Sequence, residues 1–394
     1  MPSPERDRIV ETAARLTREC IGPRAASIDA RAVNPVESWR DLGREGFLAA
    51  AIPKAYGGMG LDMPTYIAVI RTVARGCAST AMTLHMHSTV LRFIDSLGTE
   101  EQKGRYFREV VEGGRLFGSW GSEPAVSLSR TFLMETTVRR EGDACLVNGV
   151  KHFCTMALGA SHYLVWCALD GETDMGKALL QVLVPADAPG IHTDGKWDPL
   201  GMRGTYSPTV TFANVRVPAD AALGRPGSAA QVGVVESFAL GYAAVYVGIA
   251  EAALGFAVDF ARQRVVKPDN VPIAADPAVQ RHVGDLAVHL EAAAALLESS
   301  AEAWEEADPI RRGLLANKVK YLAAEAGLHV TSKVIQVVGG RGAYREFLAE
   351  RAFRDLRTAT LMPPTADKML ESIGKGALGL EEGMFRFATG PQGA

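Results

Sequence analysis

Thr136-Thr-Val-Arg-Arg-Glu-Gly-Asp-Ala-Cys-Leu-Val-Asn-Gly-Val-Lys-His-Phe-Cys-Thr155 is the stretch on which the fold turns. Its first residues, Thr136 to Arg140, are β-branched and alternate in period two. They break at a Glu-Gly-Asp turn and resume as Ala144-Cys-Leu-Val147, which reads as two paired strands. Asn148-Gly149 adds a second hairpin signal, because Asn-Gly suits the tight type I′ turn. His162 to Leu169, Leu179 to Val184 and Thr209 to Val217 continue the strand texture. Residues 118–225 are therefore expected to form a mostly antiparallel β domain.

Outward from this block the period changes. Before it, Ile9, Ala13 and Leu16 recur at three- and four-residue steps, as do apolar residues from Tyr66 to Leu97, so residues 1–117 read as an α-helical domain. Pro53-Lys-Ala-Tyr-Gly-Gly-Met-Gly60 punctuates it with glycines suited to turns. After it, Val283, Leu286, Leu290, Ala293 and Leu297 lie on one face of a helix, and residues 226–394 read as a second helical domain, a four-helix bundle. The expected fold class is α+β, with a β domain between two helical ones.

Composition excludes several classes of function. The chain of 394 residues is 47% hydrophobic and 22% charged, which suits a large soluble core. A net charge of −3 without blocks of like charge offers nothing to nucleic acid or to an anionic membrane. The N-terminus lacks the apolar core of a signal peptide. No uninterrupted apolar run reaches the roughly 18 residues of a membrane span. A cytoplasmic protein is expected. Cys20, Cys77, Cys145, Cys154 and Cys167 form no CxxC pair, and His85 and His87, two apart, point opposite ways on a helix. No metal site is expected. Nor is there an HExxH, Walker or GxGxxG motif before a helix.

Four motifs then carry a resemblance over nearly the whole chain. They are Pro53 to Gly60; Gly121-Ser-Glu-Pro124 with Asn148 to Thr155; Leu200-Gly-Met-Arg-Gly204 with Phe212-Ala-Asn-Val-Arg-Val-Pro218; and Gln336-Val-Val-Gly-Gly-Arg-Gly342 with Glu350-Arg-Ala-Phe-Arg-Asp355. In this order they resemble the acyl-CoA dehydrogenase superfamily. The resemblance implies FAD, with its ring system against Trp120, Gly121, Ser122, Phe153, Cys154 and Thr155. An apolar wall at Phe153 and hydroxyls at Ser122 and Thr155 suit a flavin. It also implies that Arg264, Gln336, Gly339 and Gly340 hold the pyrophosphate half in a neighbouring subunit, hence a homo-oligomer, the family's tetramer. Lys267 departs from the phenylalanine that the family keeps after its arginine.

A second departure concerns the reaction. In the family a carboxylate removes the α-proton of an acyl thioester as hydride leaves the β-carbon. The position that usually holds that glutamate is Pro363, and the alternative position on the first helix after the β domain is Phe238. Proline and phenylalanine accept no proton. Glu236, two residues from Phe238, should point elsewhere on a helix. The family's Gly-Ser-Asp element is missing from Ala125 to Ser129.

Three readings remain open at this stage. The first is oxidation of an acyl thioester, on CoA or a carrier protein, by a relocated base. Candidates are Glu371, Asp367, Tyr242, Tyr246 and His87, with an electron-transfer partner. The second is a monooxygenase fed by a flavin reductase, which needs no such base. His85, His87, Ser122 or Thr155 would donate hydrogen bonds there. The third is an inactive partner subunit. A substrate pocket lined by Met86, Phe238, Tyr242, Met362 and Pro363 suggests a bulky hydrophobic substrate.

Overall fold

Local signals start the helices of the N-terminal region. Asp62 caps the helix α4 by accepting from the Thr65 amide, with Pro64 in the first turn, and Thr99 with Gln102 forms a capping box on α6. The helices are α1 (Pro4–Leu16), α2 (Gly22–Arg31), α3 (Val36–Arg44), α4 (Met63–Gly76), α5 (Ala78–Leu97) and α6 (Glu100–Val111). The computed structural model describes residues 4–126, 131–380 and 386–387, so Ser127 to Ser129 of the Ala125–Ser129 stretch lie outside the described residues.

The middle region holds β1 (Phe117–Trp120), β2 (Thr131–Phe132), β3 (Thr137–Glu141), β4 (Ala144–Lys151), β5 (His162–Leu169), the short helix α7 (Met175–Ala178), β6 (Leu179–Pro185), β7 (Ile191–Thr193), β8 (Val210–Pro218) and β9 (Ala222–Leu223). Eight of these strands form one sheet in the order β7-β8-β4-β3-β5-β6-β9, with β1 on β5. Most pairings are antiparallel, but β1 and β3 both run parallel to β5, so the sheet is mixed. Each parallel pair is separated by a long connection, as parallel strands require.

The Asn148-Gly149 reading needs correction. The hairpin between β3 and β4 turns at Glu141-Gly142-Asp143, and Asn148-Gly149 lies inside β4 as a register shift against β8. There Asn148 Oδ1 accepts from the Asn214 amide at 2.8 Å. Gly149, at φ 146°, backs onto Thr136 so closely that a Cβ would lie 2.6 Å from its Cα. This pair serves a bulge, where a glycine is also favoured.

The C-terminal region comprises α8 (Val235–Gln263), the small hairpin β10 (Val265–Val266) and β11 (Val271–Pro272), α9 (Pro277–Glu302), α10 (Pro309–Val338), α11 (Leu348–Ala359) and α12 (Ala366–Ala377). Proline follows an aspartate cap at the start of both α9 and α10. A last strand, β12 (Arg386–Phe387), runs parallel to β2. The 29-residue α8 is long and apolar enough to cross a membrane by length and composition, which the search for an uninterrupted apolar run missed. Its apolarity has another cause: it is the central helix, packed on α4, α5, α9, α10 and α11.

Three ion-pair groups hold the packing, one within the middle region and two between the helical regions. Lys151 Nζ lies 2.7 Å from Glu123 Oε1 with both side chains buried, and Glu123 also accepts the amides of Glu135 and Thr136. Lys151 donates in addition to the Gly121 carbonyl. Arg354 grips Asp29 of α2 and Glu350 of its own helix, while Asp355 accepts the Met202 amide. Arg71 and Arg75 of α4 share Glu251 of α8.

The Glu123–Lys151 pair gives a first prediction. Lys151→Met leaves an uncompensated buried carboxylate and should cost about 3–5 kcal/mol in denaturant unfolding. Adding Glu123→Gln to that variant should recover much of the loss.

Candidate active site

Helix α5 carries two histidines to opposite sides, and the structure assigns them different jobs. His87 is fully buried: its Nδ1 accepts the Phe117 amide at 3.0 Å and its Nε2 donates to the Leu48 carbonyl at 2.9 Å. Both nitrogens are consumed by backbone, so His87 is a structural strut and its candidacy as a catalytic residue is withdrawn. His85 faces α8. Its Nε2 lies 3.1 Å from the Phe238 carbonyl, which can only accept, so that nitrogen bears the proton. Nδ1 therefore accepts the Tyr66 hydroxyl at 2.8 Å. Burial, assisted by the nearby Arg92 guanidinium, pushes the His85 pKa down to about 4, and burial pushes Tyr66 up to about 12. Both are neutral at neutral pH.

The ring of His85 fits a notch in α8. A Cβ on Gly241 would stand 2.0 Å from the ring, so only glycine permits the packing. One residue on, Tyr242 meets His85 edge to face at 5.4 Å, and Phe238 meets it at 6.2 Å. The Tyr242 hydroxyl contacts Met86 Sδ at 3.6 Å. Met86, Phe238 and Tyr242 are thus brought together.

Lys320 of α10 completes the group from the other side. Its Nζ lies 5.3 Å from the centre of the Tyr242 ring and donates to the carbonyls of Met362 (2.6 Å) and Pro364 (2.7 Å). Burial pulls its pKa down to about 7, while two carbonyl acceptors and the aromatic face favour the charged form. The lysine pins both flanks of Pro363. Pro363 is thus bracketed by two carbonyls held on an ammonium.

The other candidate bases are corrected by their surroundings. Glu371 is exposed on α12 between Lys368 (3.0 Å) and Lys375 (2.9 Å), which hold its carboxyl down at about 2. It is a solvated ion-pair residue. Asp367 is exposed on the same helix. Tyr242 has its pKa raised by burial and meets no proton acceptor stronger than a thioether, so it is no base. Tyr246 donates to the Ala359 carbonyl in the core. Glu236 is buried and faces α10, its Cγ 3.8 Å from where a Gly313 Cβ would stand; Oε2 has no partner and burial raises its pKa.

The residues expected to meet a flavin fall into two groups. In the first, Phe153 is 59% exposed and adopts a left-handed backbone (φ 55°), as do Met156 and Leu158 after it. An uncovered aromatic ring on backbone that non-glycine residues rarely adopt is a surface shaped for an apolar ligand face, and it fits a flavin ring. Thr155 supplies a hydroxyl, which accepts from Ser207 at 3.1 Å. Two side chains of this group serve from behind. Trp120 is buried, stacked on Tyr163 at 3.7 Å, and its indole N–H holds the Thr155 carbonyl. Cys154 points into the core, where burial raises its pKa. Only the backbone of these two is placed to meet a ligand. The carbonyls of Gly121 and Ser122 are taken by Lys151 and the His152 amide.

The second group, Arg264, Gln336, Gly339 and Gly340, is exposed where α8 and α10 end, and nothing approaches either glycine. Arg264 lies 26 positions beyond Phe238, about 39 Å along the helix axis.

Lys320, His85 and Gly241 were not singled out as a set by sequence. The signal for Lys320 was present: Ala316, Ala323, Ala324 and Gly327 surround it on the helix surface and are all buried, so the lysine belongs to an apolar stripe.

Two predictions follow from this packing. Gly241→Ala should destabilise the chain by about 1–3 kcal/mol through overpacking against His85, read as a lowered melting temperature. His87, with a pKa near 4 folded and about 6.5 unfolded, is protonated first in the unfolded chain, so its contribution falls as pH drops from 6.5 to 4. The melting-temperature gap between wild type and His87→Gln should narrow across that window.

Known proteins share this architecture. Residues 3–114, 118–215 and 227–378 match the N-terminal, middle and C-terminal domains of acyl-CoA dehydrogenases. The chain is 30% identical to the mitochondrial short-chain specific acyl-CoA dehydrogenase of Homo sapiens over 363 residues, 91% of this chain and 86% of that protein. It is also 30% identical to the dibenzothiophene monooxygenase of Mycolicibacterium goodii over 391 residues, 92% of each. Among solved structures, TdsC from Paenibacillus sp. A11-2, in complex with FMN and indole, superimposes with a TM-score of 0.87 at 26% identity, covering 97% of this chain and 100% of that one. With all three domains matched and the exposed Phe153 face fitted to a flavin, the chain belongs to the acyl-CoA dehydrogenase family and is a flavoprotein oxidoreductase.

Proposed function

We propose that this protein is a flavin-dependent monooxygenase acting on a bulky hydrophobic, aromatic substrate. One observation carries the reading: both positions that could present a carboxylate to the substrate hold Phe238 and Pro363, and the polar groups around them are neutral or tied down. His85 is a neutral donor to a carbonyl, Tyr242 keeps its proton, and Lys320 is spent on the Met362 and Pro364 carbonyls. Abstraction of an α-proton needs an acceptor within hydrogen-bond reach, and among the described residues none faces this pocket. A reduced flavin bound beside it supplies the electrons that activate dioxygen. The chain's part is to exclude water and to orient an apolar substrate between the rings of Phe238 and Tyr242 and the side chains of Met86 and Met362.

The cofactor proposed is FAD, its ring against Phe153 and Thr155, and its pyrophosphate half on Arg264, Gln336, Gly339 and Gly340 of a second copy. The exposure of Arg264, Gln336, Gly339 and Gly340 supports a shared site, hence a homo-oligomer. FMN would leave the second group unused. A flavin reductase is the partner this chemistry requires.

A second reading keeps one specific support. Glu236 is a buried carboxyl without a partner, near the helix position of a base, and would serve thioester oxidation if α8 turned it toward the pocket.

The test supplies the protein with flavin, a reductase and isotopically labelled dioxygen, together with a panel of fused heteroaromatic compounds. The expected outcome is a product carrying one labelled oxygen atom, formed equally by wild type and Glu236→Gln. Release of all reducing equivalents as hydrogen peroxide with every compound would contradict the proposal.

A further inference from the structure

We infer that Asp285, His289 and His329 form a binding site for a divalent transition-metal ion of the zinc class on the outside of the C-terminal bundle. Asp285 and His289 lie one turn apart on α9, and His329 stands opposite on α10. One donor atom from each residue lies within 4.8 Å of the other two. Asp285 Oδ2 is 2.5 Å from His329 Nε2, and the two imidazole rings are centred 4.6 Å apart.

The chemistry of the set favours this ion class. His289 Nδ1 donates to the Asp285 carbonyl at 2.8 Å, which fixes the tautomer and leaves Nε2 with its lone pair free, the usual arrangement of a ligating histidine. Two imidazoles and one carboxylate suit zinc and its neighbours, whereas magnesium and calcium require oxygen. A tetrahedral ion with bonds of about 2.0–2.2 Å holds its donors roughly 3.3–3.5 Å apart, between the separations present. Rotation of side chains therefore closes the site without movement of either helix.

Two long, mutually packed helices supply the ligands, so the geometry is rigid. The residues are partly exposed, which gives an ion access. Lys333, one turn beyond His329, donates to Gln336 Oε1 at 3.2 Å. The alternative, an Asp285–His329 ion pair alone, would leave His289 without a role and be worth little at a surface. The site is far from the Phe238 pocket in sequence and uses none of its residues, so it stands apart from the proposed reaction.

The experiment uses the full chain with any affinity tag removed, dialysed against a chelator and titrated with Zn²⁺ by calorimetry. One ion per chain is expected, with a rise in melting temperature on adding Zn²⁺ but not Mg²⁺. His289→Ala and His329→Ala should each weaken binding at least about tenfold. Both should keep the metal-free melting temperature of wild type, since neither side chain is buried. Absence of saturable Zn²⁺ binding, or binding unchanged in both variants, would overturn the inference.

Discussion

The burial of α8 constrains everything around it. A 29-residue helix packed on five others leaves no water for the polar groups that reach it, so each must be neutral, paired or bonded to backbone. His85 meets this constraint by staying uncharged between Tyr66 and the Phe238 carbonyl. Arg71 and Arg75 meet it through Glu251. Lys320 meets it by taking the Met362 and Pro364 carbonyls, and so ties α10 to the loop that holds Pro363. Glu236 alone keeps an unpartnered carboxylate oxygen, at the price of a raised pKa.

The same constraint links fold to chemistry. The α8 notch at Gly241 sets His85 against Phe238 and Tyr242, and Lys320 sets the Pro363 loop against Tyr242. The side chains gathered around Phe238 are therefore aromatic and thioether groups, with His85 and Lys320 tied to backbone carbonyls. Such a lining positions a hydrophobic molecule and offers no acceptor for an acidic C–H proton. The relatives, a dehydrogenase and a monooxygenase at equal identity, share this architecture.

Much of this was legible in the sequence, for physical reasons that can be named. Period-two and period-3.6 patterns marked the three regions. Other features depend on contacts that no local pattern encodes. Asn148-Gly149 has the chemistry of a turn, yet the Asn214 amide and the approach of Thr136 make it a bulge. His85 and His87 look equivalent until Phe117, Leu48 and Phe238 present their backbone groups. Glu371 looked available until Lys368 and Lys375 closed on it. Trp120 and Cys154 lie in motifs expected to meet the flavin, but their side chains are buried, Trp120 stacked on Tyr163. Asp285 and His329, 44 residues apart in sequence, are neighbours only through the packing of α9 on α10.

The central claim is that no carboxylate serves the pocket. It is tested most directly by mixing the oxidised flavoprotein, without oxygen, with acyl thioesters of CoA and of a phosphopantetheine carrier and following the flavin absorbance. The account predicts that the absorbance persists with every thioester, because no group removes the α-proton. Rapid bleaching by any of them would contradict it and would place a base in the site.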